Sequence, residues 1–402
     1  MSDSGGFEDR FILLGPDLVP LPERLLLAHA RGEVLFITGA GSSRPAGLPD
    51  FRGLVLQVYE KLDAVTHAVL LTVPSGVHNQ WPATTTGLTT EQIAEVKRFV
   101  RGDYDVVLGM LERRLDGPAA PTSSVRKAVI DALRNKGVKP ADIHKALVKL
   151  ADRGPATTIV TTNFDRLLEI AAGYQKKRVQ SHSLGAVPRP GRAQEFSGVL
   201  HIHGVLARNS KHFSDFVVSD QDFGEFYLRR RVVPDFIYDA ARLFYLVLVG
   251  YSADDAPMRY LLNAVAADGS RFSDLKERFA FVSMPGPSDP VVIEDWKGRG
   301  ITPIPYNSAS GHGVLTDTLV RWSELSAING KRDKIDSALK RTVRRARSKS
   351  SDADKDLFDH LIRRSGGDER VRISDVITKG KADLEWLDAL LNVDRDRGRE
   401  NS

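Results

Sequence analysis

Val34-Leu35-Phe36-Ile37-Thr38-Gly39-Ala40-Gly41-Ser42-Ser43 is the stretch on which the fold turns. Its first half is apolar, rich in β-branched residues and uninterrupted, the pattern of a strand buried on both faces. Its second half is a glycine-rich turn. Glycines there let the backbone approach a diphosphate closely, and N–H groups at the start of a following helix point at its charge. Glycine turns after strands are also common without any ligand, so the stretch alone places a buried strand. Similar runs recur at Thr157–Thr162, Val199–Ile202, Tyr245–Gly250 and Phe279–Ser283. A weaker one, Thr302–Tyr306, contains Pro303 and Pro305, which cannot donate to a ladder. Helical patterns at Glu91–Val100, Ser123–Lys136, Ile143–Ala151 and Pro234–Leu243 lie between the runs. Buried strands separated by helices predict an α/β fold, a parallel sheet flanked by helices.

Two stretches interrupt that alternation. Leu54 to Lys149 carries helical periodicity and an uncharged loop near Trp81 but no strand run, which predicts a helical insertion over about 54–150. After Trp322 the chain turns to charged helical segments, broken at Arg363–Asp368 and closing in an amphipathic helix at Leu384–Leu391. The expected division is a main domain, 1–325, and a mostly helical C-terminal extension, 326–402. The 402 residues are 42% hydrophobic and 27% charged, as in a folded globular protein. There is no cysteine, which removes disulfides, a cysteine-ligated zinc ribbon, iron–sulfur clusters and a thiol nucleophile. Asp3, Glu8, Asp9 and Arg10 stand where a signal peptide needs a basic start and an apolar run. The uncharged stretch Ala64–Thr90 is broken by Pro74, Gly76 and Pro82, so no membrane route is expected and the protein is read as cytoplasmic. Most of the net charge of +5 sits in the extension, where Lys331–Ser350 has nine basic against two acidic residues. Such a patch suits phosphates or an acidic partner, but without interleaved aromatics a solvated helix face is the plainer reading.

Four motifs carry chemistry. The glycine turn continues as Arg44-Pro45-Ala46-Gly47-Leu48-Pro49-Asp50-Phe51-Arg52-Gly53. The second strand runs into Thr161-Thr162-Asn163-Phe164-Asp165, and the third into His201-Ile202-His203-Gly204. The fourth ends in Gly250-Tyr251-Ser252-Ala253-Asp254-Asp255, with Arg259 beyond. Each has a plain alternative when read alone. Asn163 suits the cap of a helix starting near Asp165. His201 and His203 alternate along a strand, so both fall on one face. An i, i+2 histidine pair is a metal fragment, but the other eight histidines complete no cluster and no metal is expected. Phe51 and Phe164 suit a core, and Asp254 and Asp255 a helix cap.

Together, in this order over roughly residues 20–310, the motifs resemble those of the sirtuin family, with Leu48 for its isoleucine and Thr162 for its glutamine. The resemblance implies a Rossmann-like sheet in an NAD-binding catalytic domain, 1–325, that cleaves the bond between ribose and nicotinamide. It implies that Gly39, Ala40, Gly41, Ser42, Gly250, Ser252 and Asp255 hold the phosphates and the adenosine side. Asp50, with Phe51 beside it, and Asp165 would meet the carboxamide end, and Arg52 a phosphate or the closing loop. His203 would act on the ribose hydroxyls as base or anchor, a role suited to a pKa near the ordinary ~6.5, and Asn163 would position a water.

Protein-deacylating sirtuins carry a four-cysteine zinc module; this chain has no cysteine, and a helical insertion takes that region. With its insertion, its extension and its variant motifs, the chain is more similar to NAD-hydrolysing effectors of bacterial anti-phage defence. The resemblance therefore implies an NAD glycohydrolase that takes NAD+ as substrate, gives ADP-ribose and nicotinamide, and depletes NAD+ in abortive infection. A deacylase or ADP-ribosyltransferase, and a non-catalytic module that senses NAD or ADP-ribose, are the alternatives. The same resemblance implies a homo-oligomer built through the helical parts and a separately encoded partner such as a HerA-type ATPase. Nucleic acid at the basic segment is the less favoured expectation.

Overall fold

The computed structural model describes residues 10–400 except 75–80, 83, 118–122, 135–136, 155, 185–186, 192–195, 207–215, 252–274, 287 and 381. A short antiparallel pair, β1 (Phe11–Ile12) and β2 (Leu21–Pro22), precedes the main sheet. The main sheet holds β3 (Val34–Thr38), β4 (Thr158–Thr161), β5 (Ser181–Ser183), β6 (Gly198–His201), β7 (Tyr245–Val249), β8 (Arg278–Met284) and β9 (Thr302–Asn307). Their order is β5-β6-β4-β3-β7-β8-β9, and every neighbouring pair is parallel. All five residues of β3 are buried. Val34 and Phe36 enter the core on one face of the sheet, Leu35 and Ile37 the core on the other, which is why the run is apolar without alternation.

From β3 the chain lays β4 beside it, β5 at the edge and β6 between those two, then returns past β3 to lay β7, β8 and β9 on the other side. β3 and β7 therefore flank the topological switch point, where open α/β sheets hold ligands beyond the carboxyl ends of their strands. The expected weak strand is real: β9 is an edge strand, where Pro303 and Pro305 are tolerated. The other edge, β5, is three polar residues with no apolar pattern to announce it.

Helices Phe51–Leu62, Ala64–Leu70, Thr90–Val100, Tyr104–Asp116 and Ser124–Leu133 form the insertion. They close around their own core, including Val55, Val58, Tyr59, Phe99, Leu108 and Leu111. A polar knot fixes their packing: Tyr59 donates to Glu95 at 2.9 Å, and Arg114 bridges Glu95 at 2.8 Å and Asp63 at 2.6 Å. Burial alone would raise the Asp63 carboxyl, but hydrogen bonds from Gln92, Thr66 and Arg114 bring it down to about 2. Helix Asp142–Leu150, grouped with the insertion in the sequence, departs from that expectation: Ile143, Leu147 and Leu150 pack in the sheet's core.

The extension is not a separate body either. Helices Arg332–Thr342, Asp352–Arg364, Gly367–Lys379 and Leu384–Glu400 send Leu339, Phe358, Leu361, Ile377 and Trp386 into the core that covers one face of the sheet. Glu23, at the start of helix Glu23–Ala30, accepts from Arg363 at 2.8 Å and pairs with His360 at 3.1 Å. No core boundary falls at residue 325. Within the basic segment, Arg347 bonds Asp359 at 2.7 Å and lies 4.8 Å over the Trp386 ring, while Arg341, Arg344 and Arg345 are exposed. Among the described residues, no helix is long and apolar enough to cross a membrane.

Candidate active site

The turns after β3 and β7 meet backbone to backbone. Gly39 N–H donates to Val249 O at 2.9 Å, and Gly41 N–H to Gly250 O at 3.0 Å. A Cβ on Gly39 would lie 2.7 Å from Gly250 O, and one on Gly41 2.9 Å from the same oxygen. Gly250 has φ +77° and would bring a Cβ within 2.4 Å of Ser42 N. So loop-on-loop contact already demands these glycines, whatever they admit besides. The segment after the turn is two 3₁₀ turns, Ala40–Ser42 and Arg44–Ala46, in place of the helix start expected there.

Asn163 stitches the next strand end to this turn. Its amide donates to Gly39 O at 3.1 Å and to Ser43 Oγ at 2.9 Å, and its backbone N–H donates to Thr161 Oγ1 at 3.0 Å. A carbonyl acceptor at Gly39 fixes which amide atom is the nitrogen, so Oδ1 is the atom left for a water or a ligand. Asn163 does not cap the following helix, Leu167–Tyr174; Asp165 Oδ1 accepts from Leu167 N at 2.9 Å in that place. Asp165 Oδ2 accepts from Ser43 Oγ at 2.8 Å. One chain of bonds thus links Gly39, Asn163, Ser43 and Asp165.

The two histidines separate. β6 ends at His201 and the chain turns, so the alternation expected of a strand does not carry to His203. His201 is fully buried between Asn163 O at 2.9 Å and Glu169 Oε1 at 3.0 Å. Burial would raise the Glu169 carboxyl, but its bonds to His201 and Ser181 hold it below the usual range. His203 instead bonds Tyr227 OH through Nε2 at 2.5 Å and packs edge-on to Phe223. Desolvation lowers its pKa to about 3, so the ring is neutral at physiological pH, unlike the mid-range titrating group expected from the sequence.

Ala40, Asp50, Asn163, Asp165 and His203 converge on one pocket, with Leu48, Phe51, Phe164 and Phe223 supplying its apolar wall. Its volume is about 90 Å³. Asp50 has a second task, accepting from Gly53 N at 2.8 Å as the cap of helix Phe51–Leu62. Phe51 also meets the Tyr104 ring edge-on at 5.9 Å. Arg52 is not brought to the pocket: its guanidinium bonds Val73 O at 2.6 Å and lies 5.2 Å over Phe99, inside the insertion. Ser42 is buried and donates to Gly39 O at 2.8 Å, a turn-holding role. Ser252, Asp254, Asp255 and Arg259 lie outside the described residues. Sequence reasoning missed Tyr227, Phe223 and Glu169; they sit on helical segments with no motif around them.

Residues 157–304 match the family described as SIR2-like domain. The uncharacterized protein y4cA of Sinorhizobium fredii (strain NBRC 101917 / NGR234) is 34% identical over 330 residues, 78% of this chain and 24% of that protein. The chain thus spans about a quarter of the length of this curated relative. Among solved structures, a Sir2 enzyme is similar at 16% identity and a TM-score of 0.35, over 75% of this chain and 96% of that one. A Sir2 homologue mutant in complex with ADP-ribose is similar at 16% identity and a TM-score of 0.33, over 74% and 95%.

Proposed function

We propose that the protein is an NAD glycohydrolase. The observation that carries this reading is the meeting of Asn163, Asp165 and His203 with the glycine turn around one pocket, beyond the carboxyl ends of β3, β4 and β6. The SIR2-like match over residues 157–304 includes these three side chains and supports the same chemistry. NAD+ would enter with nicotinamide toward Asp50, Asp165 and the apolar wall. The C1′–nitrogen bond breaks, its electron pair leaves with neutral nicotinamide, and a water oxygen bonds C1′ and gives up a proton to solvent. The products are ADP-ribose, nicotinamide and H+. Asn163 Oδ1 holds the water, and neutral His203 anchors the ribose hydroxyls; fixed polar groups of this kind act through preorganisation.

In the cell this activity would deplete NAD+ as an anti-phage response. We further propose that the enzyme works as a homo-oligomer under a separately encoded partner such as a HerA-type ATPase. Purified protein incubated with NAD+, with and without an acetylated peptide, tests the reaction. Nicotinamide released without peptide supports hydrolysis. Release that needs the peptide makes the protein a deacylase, and NAD+ binding without release makes it a sensor.

A further inference from the structure

We infer that Tyr227 is the positioning residue of His203, fixing its tautomer and ring orientation for the ribose, and that the helical insertion holds Tyr227 in place. The inference rests on the reading of His203 given above. A neutral imidazole has one donor and one acceptor nitrogen, and the bond made by one nitrogen decides what the other can do. Here Nε2 lies 2.5 Å from Tyr227 OH. A phenol is a far better donor than acceptor toward a neutral imidazole, so Tyr227 donates to Nε2 and the ring proton sits on Nδ1. Nδ1–H is left to donate to a ligand in the pocket that His203 lines. Phe223 and Tyr227 are packed on each other at 5.2 Å and meet the imidazole at 5.6 and 5.8 Å, so the ring is held on one side by two aromatics.

The backbone beneath Tyr227 is unusual. Gly224–Arg229 is a π-helical turn, with Arg230 N–H reaching Glu225 O at 2.8 Å, five residues back. Such turns are rare overall but frequent at functional sites. This one is anchored from the insertion. Arg126 donates to both oxygens of Asp222 at 2.8 and 2.9 Å and to Glu112 at 2.9 Å, with all three side chains largely buried. Asp222 also accepts from Val218 N and Ser219 N at 3.0 and 2.9 Å. Removing one partner of such a buried pair is costly, so the segment carrying Phe223 and Tyr227 has little freedom to drift from His203.

The test uses the full chain labelled with ¹⁵N-histidine, with the His203 signals assigned by His203→Gln. Wild type is expected to show one tautomer and Tyr227→Phe a mixture, while Phe223→Leu, which removes ring packing but not the bond, keeps one. Tyr227→Phe should also lower kcat for nicotinamide release on the order of 10²-fold with KM for NAD+ little changed, the scale of losing alignment at a reacting group. A tautomer mixture in wild type overturns the inference without any variant. Wild-type tautomer and wild-type kcat in Tyr227→Phe overturn it too. Should wild type release no nicotinamide, the hydrolase reading fails, and the tautomer comparison still decides the role of Tyr227.

Discussion

Asn163→Ala separates structure from chemistry at the candidate site. The substitution removes two well-formed amide bonds, to Gly39 O at 3.1 Å and Ser43 Oγ at 2.9 Å. Gly39 O keeps its bonds from Ser42 N at 3.0 Å and Ser42 Oγ at 2.8 Å, so no acceptor there is stranded. At about 1 kcal/mol net for each part-buried bond, the expected stability loss is about 2 kcal/mol. The effect on turnover should be larger. An oriented polar group at a reacting centre contributes about 10²–10³-fold in kcat, and NAD+ affinity should change little. Denaturant unfolding, calorimetric NAD+ binding and nicotinamide release, measured on one preparation, give the three numbers. A 2 kcal/mol loss of stability with unchanged turnover would make Asn163 a loop tie and refute its role in holding water.

Arg52→Ala should leave KM for NAD+ unchanged and cost about 1 kcal/mol, since its bond to Val73 O and its place over Phe99 serve the insertion. A tenfold rise in KM would restore the phosphate-binding role. Since burial lowers His203 to about 3, kcat/KM should show no acid limb near pH ~6.5. The unfolded chain takes up this proton near pH ~6.5 and the folded chain does not, so stability should rise with pH between about 3 and 6.5. Equilibrium unfolding at pH 5 and 7, compared with His203→Gln, measures that slope, which should be shallower in the variant. In the basic segment, changing Arg341, Arg344 and Arg345 to Gln should leave stability unchanged, because all three are exposed, whereas Arg347→Gln should lower it. A DNA complex that tightens at low salt and is lost in the triple variant would assign the segment to nucleic acid.

How much of this was legible in the sequence follows from where the information sits. The buried strands were readable because a strand covered on both faces must be apolar throughout, and Val34–Thr38 is. β5 was not, because Ser181–Ser183 is held by its pairing with β6 and carries no pattern of its own. Helix Asp142–Leu150 shows periodicity equally well in an insertion or on the sheet, and only its packing assigns it to the sheet. The motif residues Asp50, Asn163, Asp165 and His203, singled out in the sequence, line one pocket. Arg52 belongs to the same motif but turns the other way, since the helix that Asp50 caps carries it toward Phe99. Tyr227 was invisible because a π-helical turn has no compositional signature and its aim depends on a contact 24 residues back, at His203. The two histidines were read as sharing a face; that rule holds only while the strand continues, and it stops at His201.

The central claim is tested most directly by following nicotinamide and ADP-ribose from NAD+ with wild type and His203→Ala, in the absence of peptide. The account predicts equal amounts of the two products from wild type, and none from a folded His203→Ala protein. Equal rates from the two proteins, or nicotinamide release only when an acylated peptide is added, would contradict it.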